Sequence, residues 1–195
     1  MPREEVNPLN TSNFNTYYDN IDHDFWRTLC LEEGVLRHYE KDELFVTEGE
    51  VARYIGYVKS GTLKYVAYSA DGTEHVVGLE FDNEFVADFP FSLYGQKSRV
   101  SIIAVSPCDI YCVPTRLLAE RLKTDTDFYK KVAESSVALF DTTYTRYVDL
   151  HIKSAKERYD ELIEKHHDIF SIFSLKDIAS FLNITPTHLS RLRKS

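Results

Sequence analysis

The chain has 195 residues, of which 43% are hydrophobic and 28% charged, and its net charge is −8. These values are typical of a soluble globular protein with one or two domains. No run of 18 apolar residues occurs, and the first ten residues lack the apolar segment of a signal peptide. We therefore expect a cytoplasmic protein with no membrane partner.

Three cysteines, Cys30, Cys108 and Cys112, cannot all pair with one another, which fits a reducing compartment. Cys108 and Cys112 are four residues apart in a predicted strand, so we expect both side chains on one face of it. A metal site would need two further ligands, and no Cys/His cluster stands nearby. We expect buried thiols, with no metal.

The first third of the chain predicts a tail, a helix and a series of strands. Residues 1–20 are polar and aperiodic, and residues 22–33 carry a helical apolar stripe that includes Phe25 and Leu29. Short β-branched and aromatic runs follow, separated by turn residues such as Ser60-Gly61 and Ala70-Asp71-Gly72. They occupy residues 35–39, 44–46, 54–58, 63–68, 75–79, 100–105 and 109–113. Many short strands at steady spacing predict an antiparallel, jelly-roll-like β-roll within a sensor domain of residues 21–123.

A long helix is predicted over residues 124–153, which contain neither Gly nor Pro. At 1.5 Å per residue it would be about 40 Å long, more than a small domain needs. We expect it to pair with a second copy of the chain in a homodimer. The alternative is a surface helix packed on its own roll. The predicted dimer seam follows 3-to-4 spacing and comprises Val132, Ser136, Leu139, Thr143, Tyr147 and Leu150.

Residues 154–195 predict a helix and then a helix-turn-helix. Ser154 and Glu157 form a capping box, and Ser174 is placed to cap the next helix. Asn183 tolerates the left-handed backbone of a helix end, and Thr185-Pro186 suits the start of another helix. Between them, His166-His167-Asp168 is expected to be a solvated loop. The alternative for the closing segment is an ordinary helical hairpin in a core.

Charge favours DNA as the partner of this end. Residues 172–195 carry a net charge of +3, so the first 171 residues carry −11. Phosphate binding needs local cations, and an acidic body repels DNA everywhere else. One short basic helix can contact only a few phosphates, so we expect DNA binding to require a dimer.

A β-roll, a long helix and a terminal helix-turn-helix, in that order, resemble the Crp/Fnr family of transcription regulators. The resemblance covers residues 22–194 and is carried by Gly49, Gly61 and Gly72, by NEFVADFPFSLYGQKSRVSIIAV and by SLKDIASFLNITPTHLSRLRK. It implies an α+β fold and a homodimer that binds a palindromic DNA operator and acts on RNA polymerase. Most relatives continue into a β-hairpin wing, whereas only Ser195 follows Lys194, so we expect either a short form without a wing or a natural protein longer than this chain.

The resemblance also locates a ligand pocket. Members that bind cyclic nucleotides carry Gly-Glu for the ribose and Arg-Ser for the phosphate, where this chain has Ala87-Asp88 and Ser98-Arg99. Shifting an arginine by one strand position turns it to the other face, and a lysine lacks its bidentate fork. We therefore expect an effector other than cyclic AMP, or a closed vestigial pocket. The candidate pocket residues are Asp88, Phe89, Phe91, Lys97 and Arg99.

Cofactors known in the family are not expected here. An iron–sulfur member needs an N-terminal cysteine cluster, and Cys30 stands alone. A haem member needs an axial histidine in the roll, and His38 and His75 are isolated there.

At the DNA end, family positions that read bases fall on Pro186, Thr187, Ser190 and Arg191. Arg191 is expected to contact guanine bidentately, and Thr187 replaces a Glu common in relatives, so the half-site should differ. Thr185 and His188 match capping or phosphate positions, and Arg193 and Lys194 are expected on phosphates.

Two other classes of function can be weighed against the regulator from the sequence. An enzyme of the metal-dependent double-stranded β-helix type would need clustered histidines and a carboxylate, so we do not expect an enzyme. A ligand-binding sensor module that acts through a protein partner without DNA is the alternative to the regulator.

Overall fold

The computed structural model describes residues 22–194, so the predicted N-terminal tail and Ser195 lie outside the described residues. Two four-stranded antiparallel sheets form a roll, and helices follow it along the chain. The predicted α+β class with an N-terminal antiparallel roll is confirmed.

The strands of the roll lie close to the predicted runs. One sheet has the order β1-β8-β3-β6, and the other has the order β2-β7-β4-β5. The two-residue strand β6 was missed because it is too short to alternate. The strands are β1 Val35–Tyr39, β2 Leu44–Val46, β3 Tyr54–Ser60, β4 Leu63–Tyr68, β5 Glu74–Glu80, β6 Phe85–Val86, β7 Ser101–Ala104 and β8 Cys108–Pro114.

The core of the roll lies between the two sheets. Val58, Leu63, Ile102 and Ile110 are fully buried there, together with the thiols of Cys108 and Cys112. The third thiol, Cys30, is also buried, and all three cysteines are free. The prediction of buried thiols is confirmed.

Gly61 fixes one corner of the roll, between β3 and β4. Its φ is +97°, and a Cβ there would stand 2.4 Å from the carbonyl oxygen of Pro107. Only glycine fits both the backbone angle and this close approach.

The helices begin and end near capping residues. Asp22, Asp125, Ser154, Ser174 and Thr185 each accept a hydrogen bond from a backbone N–H of the first turn. Such caps satisfy donors that have no partner within the helix. The helices are α1 His23–Glu33, α2 Thr115–Thr124, α3 Thr126–Ile152, α4 Ala155–Lys165, α5 Ile169–Ile172, α6 Leu175–Phe181 and α7 Pro186–Leu192, with a 3₁₀ turn at Phe91–Tyr94.

Trp26 on α1 joins the roll to the long helix α3. It is fully buried, and its Nε1–H donates to Ser135 Oγ at 2.8 Å. Its ring centroid lies 4.9 Å from that of Phe85 and 5.3 Å from that of Phe89. This aromatic cluster fixes one face of α3 against the roll.

The C-terminal helices dock on strand β5. Val76 and Leu79 of β5 share a buried core with Ile178 and Leu182 of the C-terminal part. Polar contacts flank that core, and the backbone N–H of Val76 donates to Ser180 Oγ at 2.8 Å. Residues of the predicted DNA-binding domain (154–195) therefore pack directly on the roll.

None of the helices within residues 22–194 combines the length and apolarity that a membrane crossing requires.

Candidate functional site

The closing segment forms two short helices joined by a tight turn. Asn183 in the turn has a φ of +54°, and the N–H of Ile184 donates to the carbonyl of Ala179 at 2.9 Å. Thr185 Oγ1 accepts from the N–H of His188 at 3.2 Å, and Pro186 is the first residue of α7. The predicted left-handed Asn183, the cap and the proline position are confirmed.

Helix α7 is anchored on one side and exposed on the other. Leu189 is fully buried in the C-terminal core. Thr185, Pro186, Thr187 and His188 are exposed, as are Arg191 and Lys194, and Ser190 is half-buried. A helix held by one buried leucine presents its polar side outward.

Arg193 is exposed, and its guanidinium also contacts an aromatic ring of the protein. Its guanidinium lies 4.1 Å from the ring centroid of Phe170, a cation–π contact. Sequence reasoning missed this contact because Phe170 precedes α6 and no local spacing relates the two residues.

The long helix α3 has two apolar faces. Val132 is only 1% exposed and packs in the core against the roll. It cannot contact a second copy in this arrangement, so its place in the predicted seam is wrong. Leu139 is partly buried against the same core. The 3-to-4 pattern of the sequence does not say which of two stripes the roll will cover.

The second stripe is the apolar face of α3, defined by Val137, Phe140, Tyr144 and Tyr147. These side chains are between 56% and 69% exposed, and their spacing is 3, 4 and 3. The rings of Phe140 and Tyr144 stack with centroids 5.8 Å apart. Of the predicted seam residues, Tyr147 lies on this face.

Three other residues of the predicted seam, Ser136, Thr143 and Leu150, differ in exposure. Ser136 is half-buried, while Thr143 and Leu150 are exposed. The hydroxyls of Ser136 and Thr143 donate to the carbonyls four residues earlier, at 2.7 and 2.8 Å. These two hydroxyls are satisfied within α3.

A cavity of about 310 Å³ lies between the roll and α3. Its apolar walls include the rings of Trp26, Phe85 and Phe89 and the side chain of Leu139. The other lining residues are His23, Tyr65, Val77, Gly78, Glu80, Ala87, Asp88, Ser135, Thr143 and Arg146.

Carboxyl groups dominate the polar wall on the roll side. The hydroxyl of Tyr65 donates to Glu80 Oε2 at 2.7 Å. Burial and the nearby Glu80 carboxylate raise the pKa of Tyr65 and also that of Glu84. Burial raises the pKa of Asp88 as well, although Ser98 and the charge of Arg99 oppose it. The shared cause is desolvation, which disfavours charged forms.

Only part of the predicted pocket lines this cavity. Asp88 and Phe89 do, whereas Phe91, Lys97 and Arg99 lie outside it and are exposed. For those three residues a contact with the ligand stays a prediction. Ser98, the neighbour of Arg99, is 3% exposed, and the Arg99 guanidinium lies 5.6 Å from the ring centroid of Phe91.

The cavity residues that the sequence did not reveal come from distant elements. Trp26 belongs to α1, Tyr65 to β4, Val77 to β5 and Arg146 to α3. No motif or spacing links them, because only the tertiary fold brings them together.

Arg146 connects the cavity rim to the C-terminal helices. Its Nη1–H donates to the carbonyl of Val77 at 3.1 Å. Its guanidinium lies 4.4 Å from the ring centroid of Phe181, on α6. One side chain thus touches the cavity, strand β5 and helix α6.

The histidines form no metal centre in the part of the chain that is described. No group of three or more His, Cys, Asp or Glu within residues 22–194 is placed to hold a metal ion. His38 Nδ1 lies 2.8 Å from Asp109 Oδ1.

His166 is not solvated as predicted, because its ring stacks on Phe81 with centroids 4.3 Å apart.

Comparison with known proteins agrees with this architecture. Residues 36–125 match the family model described as Cyclic nucleotide-binding domain. The structure of a putative transcriptional regulator of the crp/fnr family from Eubacterium rectale has a TM-score of 0.67 at 18% identity, covering 87% of this chain and 81% of that one. The chain has the Crp/Fnr fold.

Two further structures share it. FixK2 from Bradyrhizobium japonicum has a TM-score of 0.71 at 18% identity, over 83% of each chain. CLP from Xanthomonas campestris, described as a c-di-GMP responsive global regulator, has a TM-score of 0.63 at 18% identity, covering 88% of this chain and 90% of that one. Comparison with curated protein sequences finds no match.

Proposed function

We propose that the chain is a homodimeric, sequence-specific DNA-binding transcription regulator of the Crp/Fnr type. In this proposal α6 and α7 form a helix-turn-helix, and α7 enters the major groove. A small ligand other than cyclic AMP occupies the cavity, and the DNA-bound dimer acts on RNA polymerase. The observation that carries the proposal is the outward polar side of α7, held in place by the buried Leu189.

Exposure and charge of the closing segment support DNA as its partner. Arg191 and Lys194 are exposed on the outward side, in a segment with a net charge of +3. The rest of the chain is acidic, so the electrostatic attraction to phosphates is confined to this end. Thr187 and Arg191 are the exposed side chains that we assign to base edges. The guanidinium of Arg193 faces the ring of Phe170, so we assign only its outer N–H edge to a phosphate contact.

The apolar face of α3 supports the dimer. Four large side chains at 3-4-3 spacing stand exposed in the single chain. Such a stripe on a helix of 27 residues suits a two-helix seam with a second copy. Two copies of α7 would then enter successive major grooves, about 34 Å apart.

The cavity supports a ligand other than cyclic AMP. A cyclic phosphate needs a cation at its own position in the pocket, and the Ser98-Arg99 pair that matches this position contributes no side chain to the cavity. Arg99 is exposed outside the cavity. Asp88, at the position that matches the ribose-binding Glu, has a side chain one methylene shorter than Glu.

Selection of bound duplexes from a random pool tests the proposal. We expect enrichment of an inverted repeat whose half-sites lie about one helical turn apart. Arg191→Ala should then lower affinity and relax preference at one base pair per half-site, by about 1–3 kcal/mol. The matched control is Arg116→Ala, which removes an equal charge from an exposed position on α2. Equal effects of the two variants, or no enrichment at all, would favour the sensor module that acts without DNA.

A further inference from the structure

The cavity between the roll and α3 is lined by a buried acidic group, one oxygen of which lacks a hydrogen bond from residues 22–194. Asp88 lines the cavity and is only 8% exposed. Its Oδ2 atom is buried and accepts no hydrogen bond from the residues that the structure describes. Leaving a buried acceptor without a donor is costly, and more so for a charged group. A ligand that brings a donor to Asp88 would remove this cost.

Few basic side chains of the described residues line the cavity, and one of them is held by other parts of the protein. Among its lining residues the basic side chains are His23 and Arg146. Arg146 donates to the carbonyl of Val77 and faces the ring of Phe181. Lys97 and Arg99 lie outside the cavity. An anionic ligand would meet the carboxyl groups of Asp88 and Glu80, whereas Arg146 is already held by Val77 and Phe181.

The remaining walls suit a flat apolar body. Trp26, Phe85 and Phe89 contribute rings to the lining, and Leu139 closes it from α3. Aromatic faces also attract cations, through their negative electrostatic potential. The volume of about 310 Å³ lies at the small end of the range for ligand pockets, roughly 300–1,000 Å³.

We infer that the cavity binds a small aromatic compound with a protonated amine, whose ammonium group donates to Asp88 while its ring packs against Trp26, Phe85 and Phe89. The inference rests on the proposed function in one respect, because it names the class of effector that this regulator would sense. Binding itself needs no DNA. It is therefore measured on the free protein, and its failure leaves the DNA-binding proposal untouched.

Three probes of matched shape test the inference: phenethylamine, which is a cation, 2-phenylethanol, which is neutral, and 3-phenylpropionate, which is an anion. Trp26 is the one tryptophan of the chain, so its fluorescence, excited beyond the tyrosine band, reports binding in the cavity. We expect phenethylamine to bind tightest, at least about 10-fold tighter than 3-phenylpropionate, as a charge-assisted hydrogen bond implies. An anion that binds as tightly as the amine, or no binding of the amine at millimolar concentration, would overturn the inference.

Two variants locate the contact. Asp88→Asn keeps the shape of the side chain and removes its charge, and we expect it to weaken phenethylamine about 10-fold or more while leaving 2-phenylethanol unchanged. Asp82→Asn is the matched control, since Asp82 is exposed and does not line the cavity. Leu139→Phe, which fills part of the cavity, should weaken all three probes. If Asp88→Asn binds phenethylamine as tightly as the unaltered protein does, the assignment of Asp88 is contradicted. If a variant fails to fold, the order of affinities of the three probes for the unaltered protein still decides the ligand class.

Discussion

The ion pair between Lys64 and Asp177 holds helix α6 against the roll. The Nζ–Oδ1 distance is 2.8 Å, and the two side chains are only 17% and 14% exposed. Ser174 donates to the other carboxylate oxygen of Asp177 at 2.5 Å. Burial alone would raise the pKa of Asp177, but the hydrogen bonds from Lys64 and Ser174 outweigh it, so the pKa is lowered. This carboxylate therefore stays charged in its buried position.

Lys64→Met should destabilise the chain strongly. The variant keeps most of the side-chain stem and removes the charge, so Asp177 remains buried without its cation. Breaking one partner of a buried pair costs about 3–5 kcal/mol, and the residual exposure here places the loss near 3 kcal/mol. For a chain of this length that loss lowers Tm by about 6–12 °C.

Urea unfolding followed by circular dichroism measures the loss. Lys123→Met is the matched control, because Lys123 pairs with Glu120 at the same 2.8 Å while both side chains are about two-thirds exposed. That exposed pair should contribute at most about 1 kcal/mol. If Lys64→Met costs no more than Lys123→Met, the buried pair does not hold α6 as argued.

The same comparison has a pH dependence with a definite sign. Because the folded pKa of Asp177 lies below its ordinary value of 3.8, the pair stabilises the folded state fully above that value. The stability difference between the unaltered chain and Lys64→Met should shrink as the pH falls through the lowered pKa.

Three further predictions concern single side chains. Burial lowers the pKa of His166 from 6.5 to about 4. The free energy of unfolding should therefore fall by roughly 1–2 kcal/mol, after allowance for partial exposure, as the pH drops from about 6.5 to 4. In unfolding measured at several pH values, His166→Phe should flatten this dependence, whereas His167→Gln should not. Phe140→Asp should give monomers by sedimentation velocity, while the control Tyr94→Asp, 58% exposed on the roll, should not, and equal sedimentation of both variants would contradict the seam. Leu189→Ala should cost about 2–5 kcal/mol in urea unfolding, since its side chain is fully buried, and a loss below about 1 kcal/mol would show that α7 is held elsewhere.

Local features of the molecule were predictable from the sequence because they depend on neighbouring residues. Alternation and turn residues located seven of the eight strands, and Ser154, Ser174 and Thr185 cap the helices they were expected to cap. Thr115 is an exception. A threonine at the start of a helical stretch suggests a cap, but Thr115 is the first residue of α2, and its hydroxyl donates to the carbonyl of Ala52 at 2.8 Å.

Features that depend on distant residues were not predictable in the same way. The cavity joins Trp26 to Ser135, which are 109 residues apart, and no periodicity relates them. On α3 the sequence offered two apolar stripes, and only the packing of the roll decides that Val132 turns inward while Phe140 stays exposed. The stacking of His166 on Phe81 likewise depends on the docking of the C-terminal helices on the roll.

The central claim is that two copies of α7, fixed relative to one another by paired α3 helices, read two half-sites on one face of DNA. Fluorescence anisotropy with the selected inverted repeat, and with a duplex carrying a half-turn insertion of about 5 base pairs between the half-sites, tests it directly. We expect two chains per duplex and tight binding to the selected repeat, with a large loss of affinity for the insertion, because one half-site then faces away. Equal affinity for the two duplexes would contradict the claim.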